Sequence, residues 1–61
     1  MVFNVGDKVR LADGDGREHI IKELPVTLTA RGWFCIARFE DGGAGIVDSS
    51  GFTDMIKIEN K

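Results

Sequence analysis

Tyrosine is absent from this 61-residue chain, and cysteine, proline, histidine and tryptophan each occur only once. A lone Cys35 excludes an intramolecular disulfide, so a chain this short must hold itself together by packing or by association. An isolated thiol inside an apolar segment is a reduced packing residue, which fits a reducing cytoplasm. A single histidine leaves little material for a metal centre, which needs three or four convergent ligands. Neither charge sign dominates: eight basic and ten acidic side chains give a formal net charge of -2. The basic residues are scattered among acidic ones, without the one-sided stripe that phosphate backbones attract. No apolar stretch approaches the length of a membrane span, and Met1-Val2-Phe3-Asn4 opens without a basic segment leading into a long apolar one. The expectation is one cytoplasmic domain over residues 1–61 with no membrane association.

Eight glycines and one proline punctuate the chain, and no stretch keeps helical periodicity for three turns. Lys8-Val9-Arg10-Leu11 alternates, with Val9 and Leu11 on one face, and Asp13-Gly14-Asp15-Gly16 follows as a turn whose glycines accept positive φ. Between His19 and Ala30 the residues Ile20, Leu24, Val26, Leu28 and Ala30 share a parity that Ile21 breaks. One bent strand or two short ones fit this pattern. Pro25 has no N–H to give to a ladder and belongs at an edge or a bulge, so a kink is expected between Glu23 and Val26.

Ala30-Arg31-Gly32 turns into the most apolar strand of the chain, Trp33 to Glu40, and Asp41-Gly42-Gly43 turns out of it into Ala44 to Asp48. Ser49 to Asp54 reads as a polar connection, and Ile56 and Ile58 then alternate with Lys57 and Glu59 in a closing strand. The expected architecture is all-β: a small, five-stranded, strongly bent antiparallel barrel with room for one short helical turn near residues 50–54. Its expected core is Val5, Val9, Leu11, Ile21, Leu24, Val26, Cys35, Ala37, Phe39, Ile46, Ile56 and Ile58. A domain of this size buries only about 60% of the surface of its unfolded chain, so a second buried interface would add stability.

Chemistry is sparse. His19 has Glu18 and Glu23 near it in sequence, but neighbours along a strand point to opposite faces, so a surface or turn position is its simplest role. Asp13-Gly14-Asp15-Gly16 starts like a calcium loop but then offers Arg17, Glu18 and Leu24 where oxygen ligands and the sixth-position glycine belong. Asp41-Gly42-Gly43-Ala44-Gly45 is followed by no Lys-Ser/Thr pair and opens no helix, so it is a hairpin and not a phosphate cradle. No nucleophile, acid-base pair or cofactor motif emerges; the expectation is a non-enzymatic protein without metal or cofactor.

Phe3-Asn4-Val5-Gly6-Asp7-Lys8-Val9-Arg10-Leu11, then Asp13-Gly14, Trp33-Phe34-Cys35 and Phe39-Glu40-Asp41-Gly42, together resemble the SH3-like barrels that begin with a Gly-Asp-x-Val-x-Leu strand. Among these the chain looks closest to small bacterial proteins of the YodC-like type. The resemblance spans nearly the whole chain and implies a fold more than a function. Gly32-Trp33-Phe34-Cys35 is also similar to the Gly-Trp-Tyr-Cys of type II dihydrofolate reductases. Those enzymes line their pore with a Val-Gln-Ile-Tyr segment, where this chain has Ala44-Gly45-Ile46-Val47-Asp48 and no tyrosine. The tyrosine-rich groove of peptide-binding SH3 domains is likewise missing.

In the apolar strand, Cys35, Ala37 and Phe39 fall on one side and Phe34 and Ile36 on the other. One small core accounts for the first side only. The leading expectation is therefore an interaction module that self-associates as a dimer, or docks on a protein partner, through the outer face of the third strand. Phe34 and Ile36 are its anchors, with Trp33 and Phe52 extending the patch. The alternative within a monomer is that the bent second strand covers this face. Nucleic-acid binding, with Trp33, Phe34 and Phe52 stacking on bases and Lys22, Arg31 and Arg38 on phosphates, is disfavoured by the interspersed acidic residues.

Overall fold

In a computed structural model, residues 2–58 form six antiparallel strands and no helix. The strands are β1 (Lys8–Leu11), β2 (Glu18–Glu23), β3 (Val26–Thr29), β4 (Gly32–Phe39), β5 (Ala44–Asp48) and β6 (Met55–Lys57). They make one sheet in the order β3-β4-β2-β1-β6, with β5 on the opposite edge of β4. An isolated bridge from Val47 to Thr53 ties β5 to the segment entering β6. The all-β class is as expected, with six strands in place of five because the second segment breaks at Leu24-Pro25.

That break carries a change of parity. Ile21 pairs with Phe39, but the next partner of Arg38 is Glu23, so β2 holds one extra residue at Lys22. A bulge of one residue returns the following even-numbered positions to the face that Ile21 occupies. Leu24 therefore packs against the core, and Val26 comes level with Cys35. The irregular apolar pattern from His19 to Ala30 is the signature of this bulge.

The core consists of Phe3, Val9, Ile21, Cys35, Ala37, Phe39, Val47 and Met55, flanked by Leu11, Leu24 and Trp33. Several expected members are displaced. Val5 is 63% exposed because Asn4 to Asp7 is a tight turn. In it the Asp7 N–H donates to the Asn4 carbonyl at 3.0 Å, and Gly6 takes φ +93° while donating to the Ile21 carbonyl. Phe3, just ahead of that turn, is buried instead. At the other end Met55 lies opposite Leu11 and Ile56 opposite Arg10. Cross-strand partners share a face, so Met55 turns inward and Ile56 outward. Val26 is exposed at the sheet edge, and Ile46 and Ile58 are only half-buried. Glu59 lies outside the described residues.

Two local expectations change as well. Of the glycines in the Asp13-Gly14-Asp15-Gly16 turn only Gly16 has positive φ; the Gly14 N–H donates to the Leu11 carbonyl. No helical turn forms near residues 50–54. There the Asp48 carboxylate accepts from the Ser50 N–H, the Ser50 hydroxyl and the Phe52 N–H, with Gly51 at φ +96°, which folds the segment as a side-chain-capped turn.

Candidate interaction face

The outer face of β4 is set by its register with three neighbours. Phe34 lies between Thr27 of β3 and Asp48 of β5, Ile36 lies opposite Ile46, and Arg38 lies between Glu23 and Ala44. This produces an apolar centre, Ile36 and Ile46, with Phe34 at one end and a charged pair at the other. Phe34 and Ile46 are half-buried, whereas Ile36 is 38% exposed. Arg38 Nε stands 3.8 Å from Glu23 Oε1 in the open, a contact that orients two side chains and adds little stability. Beside Ile36 an open cleft of about 340 Å³ runs between Lys22, Arg38 and the glycines of the β4–β5 turn.

Phe52 reaches the Phe34 end through the backbone. The Asp48 N–H donates to the Phe52 carbonyl at 3.0 Å, and Asp48 is the cross-strand neighbour of Phe34. Phe52 itself is 57% exposed. The hydrogen bonds from Ser50, first the hydroxyl, hold the Asp48 carboxyl below its ordinary range, so the cap is ionised at neutral pH.

Trp33 does not share this face. It lies opposite Leu28, its side chain packs against the core, and it lines a shallow apolar groove of about 310 Å³ with Val2, Phe3 and Val47. Its N–H donates to Ser49 Oγ at 3.1 Å and its carbonyl accepts from the Ser49 N–H. The strand's alternation assigns Trp33 to the Cys35 side, away from the outer patch it was expected to extend. Ile46, by contrast, was expected in the core. Phe39 and Gly43 flank a three-residue turn, which brings Ile46 level with Ile36 on the outer side. The register of that turn was the signal available in the sequence.

Histidine 19 has a partner that sequence proximity did not reveal. Its Nδ1 is 2.7 Å from Asp41 Oδ2, and its ring stacks on Phe39 with centroids 4.5 Å apart and planes 16° from parallel. The Gly43 N–H and His19 hold the Asp41 carboxyl below the usual carboxylate range. Because Asp41 also accepts from Gly43 N, the pair fastens the β4–β5 turn to β2. No group of three or more metal-ligating side chains occurs among the described residues.

Of the basic residues weighed for phosphate contact, Lys22 and Arg38 line the same cleft, where Glu23 stands beside them. Arg38 is engaged with Glu23, Lys8 stands 3.6 Å from Glu18, and Lys57 stands 3.3 Å from Asp7. Among the described residues no helix is long and apolar enough to cross a membrane. Family models, curated proteins and solved structures provide no match to the chain.

Proposed function

We propose that this protein is a non-enzymatic interaction module that meets another protein chain, a second copy of itself or a distinct partner, through the outer face of β4. The observation that carries this reading is the apolar pair Ile36 and Ile46, with Ile36 38% exposed, on a face where β3 contributes only Thr27 and Thr29. Exposed Phe52 is joined by its backbone to Asp48, the cross-strand neighbour of Phe34, and is the residue this reading adds to the patch. Aromatic and branched apolar side chains framed by polar ones are the usual composition of an interface centre. Paired surface cations and a balanced net charge do not favour nucleic acid as the partner.

Light scattering at tens of micromolar tests the self-associating form. The wild-type chain is expected to exceed its 6.7 kDa monomer mass, and Ile36→Ser is expected to lower that mass while leaving the circular dichroism spectrum unchanged. A wild-type monomer whose Ile36→Ser variant is merely less stable would instead make this face part of the fold.

A further inference from the structure

The strand path ends on β3 and β6, and the two ends differ. β6 has three residues, ends on Lys57 and follows the Val47 to Thr53 bridge. β3 reads Val-Thr-Leu-Thr, carries no charge, buries none of its four residues and pairs with β4 alone. Leu28 is 81% exposed, the most exposed large apolar residue described. Natural sheets blunt such edges with charge, bulges or a covering segment, because a row of free N–H and C=O groups is a template for another strand. Here Pro25 stops the edge at one end, and Val26 to Thr29 stays open.

We infer that a second copy of the chain pairs its β3 antiparallel to this one, joining the two sheets across a two-fold axis at Thr27. The register follows from the sequence. It sets Val26 against Leu28 of the second copy, and Leu28 against Val26, so both cross-strand pairs are apolar on the face that also carries Trp33. It also brings Glu23 level with Arg31 of the second copy, so the ends of the seam carry opposite charges, and no like charges meet within it. An axis perpendicular to the sheet keeps both outer faces on one side. Two copies of the Phe34 and Ile36 surface then form one continuous surface. This seam shares with the proposed function only the premise that the chain self-associates; it uses the β3 edge and leaves the outer face of β4 free. Four paired residues bury less than a standard interface of roughly 800 Å² per partner, so the association is weak and concentration-dependent.

Sedimentation equilibrium from low to about 200 µM, with Leu28→Lys and Ile36→Ser as variants, decides the matter. Leu28→Lys places like charges at the seam and is expected to weaken dimerisation at least tenfold, or about 1.4 kcal/mol, without loss of fold. Amide exchange adds a second measurement: protection within Val26 to Thr29 is expected to rise with concentration. A dimer lost with Leu28→Lys but kept with Ile36→Ser establishes the seam and removes the outer face as the self-association surface. Loss with both supports both. Loss with Ile36→Ser alone overturns the seam and leaves the outer face standing, and a wild-type monomer at the highest concentration overturns both.

Discussion

Gly45 is the position where packing in this small core can be tested most sharply. It is buried in β5 opposite Ala37, and its φ is not in the left-handed region, so its backbone accepts alanine. Only space opposes the substitution. A Cβ there would sit 2.5 Å from Met55 Cγ, 2.7 Å from Met55 Sδ and 3.1 Å from Phe39 Cζ. Met55 and Phe39 are themselves core residues, at 3% and 2% exposure, and have no solvent to move into. Removing a strand glycine gains about 0.5–1 kcal/mol of backbone entropy, whereas overpacking costs about 1–3 kcal/mol. The clash wins, and Gly45→Ala should destabilise by roughly 1–2 kcal/mol, a fall in Tm of about 5–15 °C for a domain of this size. The decisive measurement is a double-mutant cycle with Met55→Ala, read by thermal and urea unfolding, in a stabilising osmolyte if the single variant is marginal. Met55→Ala alone should cost about 2–5 kcal/mol. On that background the new methyl enters vacated space, and Gly45→Ala should become neutral or stabilising. Equal effects in both backgrounds, or a cost below about 0.5 kcal/mol in the wild type, would show that Met55 does not lie over Gly45.

Phe3 contributes to the core from ahead of the first strand, so Phe3→Ala should cost about 3–5 kcal/mol; a loss under 1 kcal/mol in urea unfolding would place Phe3 outside the core. Cys35 is fully buried and its thiol is pushed up by burial, so a thiol reagent should label it only as the chain unfolds. Rapid labelling of the folded protein at neutral pH would contradict that burial. Asp7, Asp15, Asp41 and Asp48 are held below their ordinary value of 3.8, chiefly by hydrogen bonds from Asn4, Arg17, Gly43 and Ser50 respectively. The unfolded chain therefore takes up protons first as pH falls. Their stabilisation is full above the unfolded value and is lost as pH drops through the lower folded values. Urea midpoints should fall between pH 5 and pH 3, and Asp48→Asn should flatten the fall; a midpoint independent of pH would remove this account.

Much of the fold was legible in local pattern. The alternation around Val9, the Asp41-Gly42-Gly43 turn and the run from Trp33 to Phe39 specified β1, the β4–β5 hairpin and the inward set Cys35, Ala37 and Phe39, because a strand's period and a turn's chemistry are local properties. Pro25 marked the break between β2 and β3 for the same reason. The parity of residues after that break was not legible, since the extra residue at Lys22 is defined only against Arg38 and Phe39 on another strand. The candidate face divided along the same line. Phe34 and Ile36 followed from alternation, whereas Ile46 joined them through a cross-strand register. His19 met Asp41 only because the β4–β5 turn folds against β2.

The sequence by itself determined an all-β chain, its main turns and the two-sided apolar character of its longest strand. Tertiary structure decided which apolar residues go inside. Phe3, Val47 and Met55 displaced Val5, Ile46 and Ile56 because inward or outward position is set by pairing with another strand and by the turn that delivers each residue to it. It also left β3 at the end of the sheet. Whether a strand has an unpaired edge depends on where every other strand lies, which no single segment encodes.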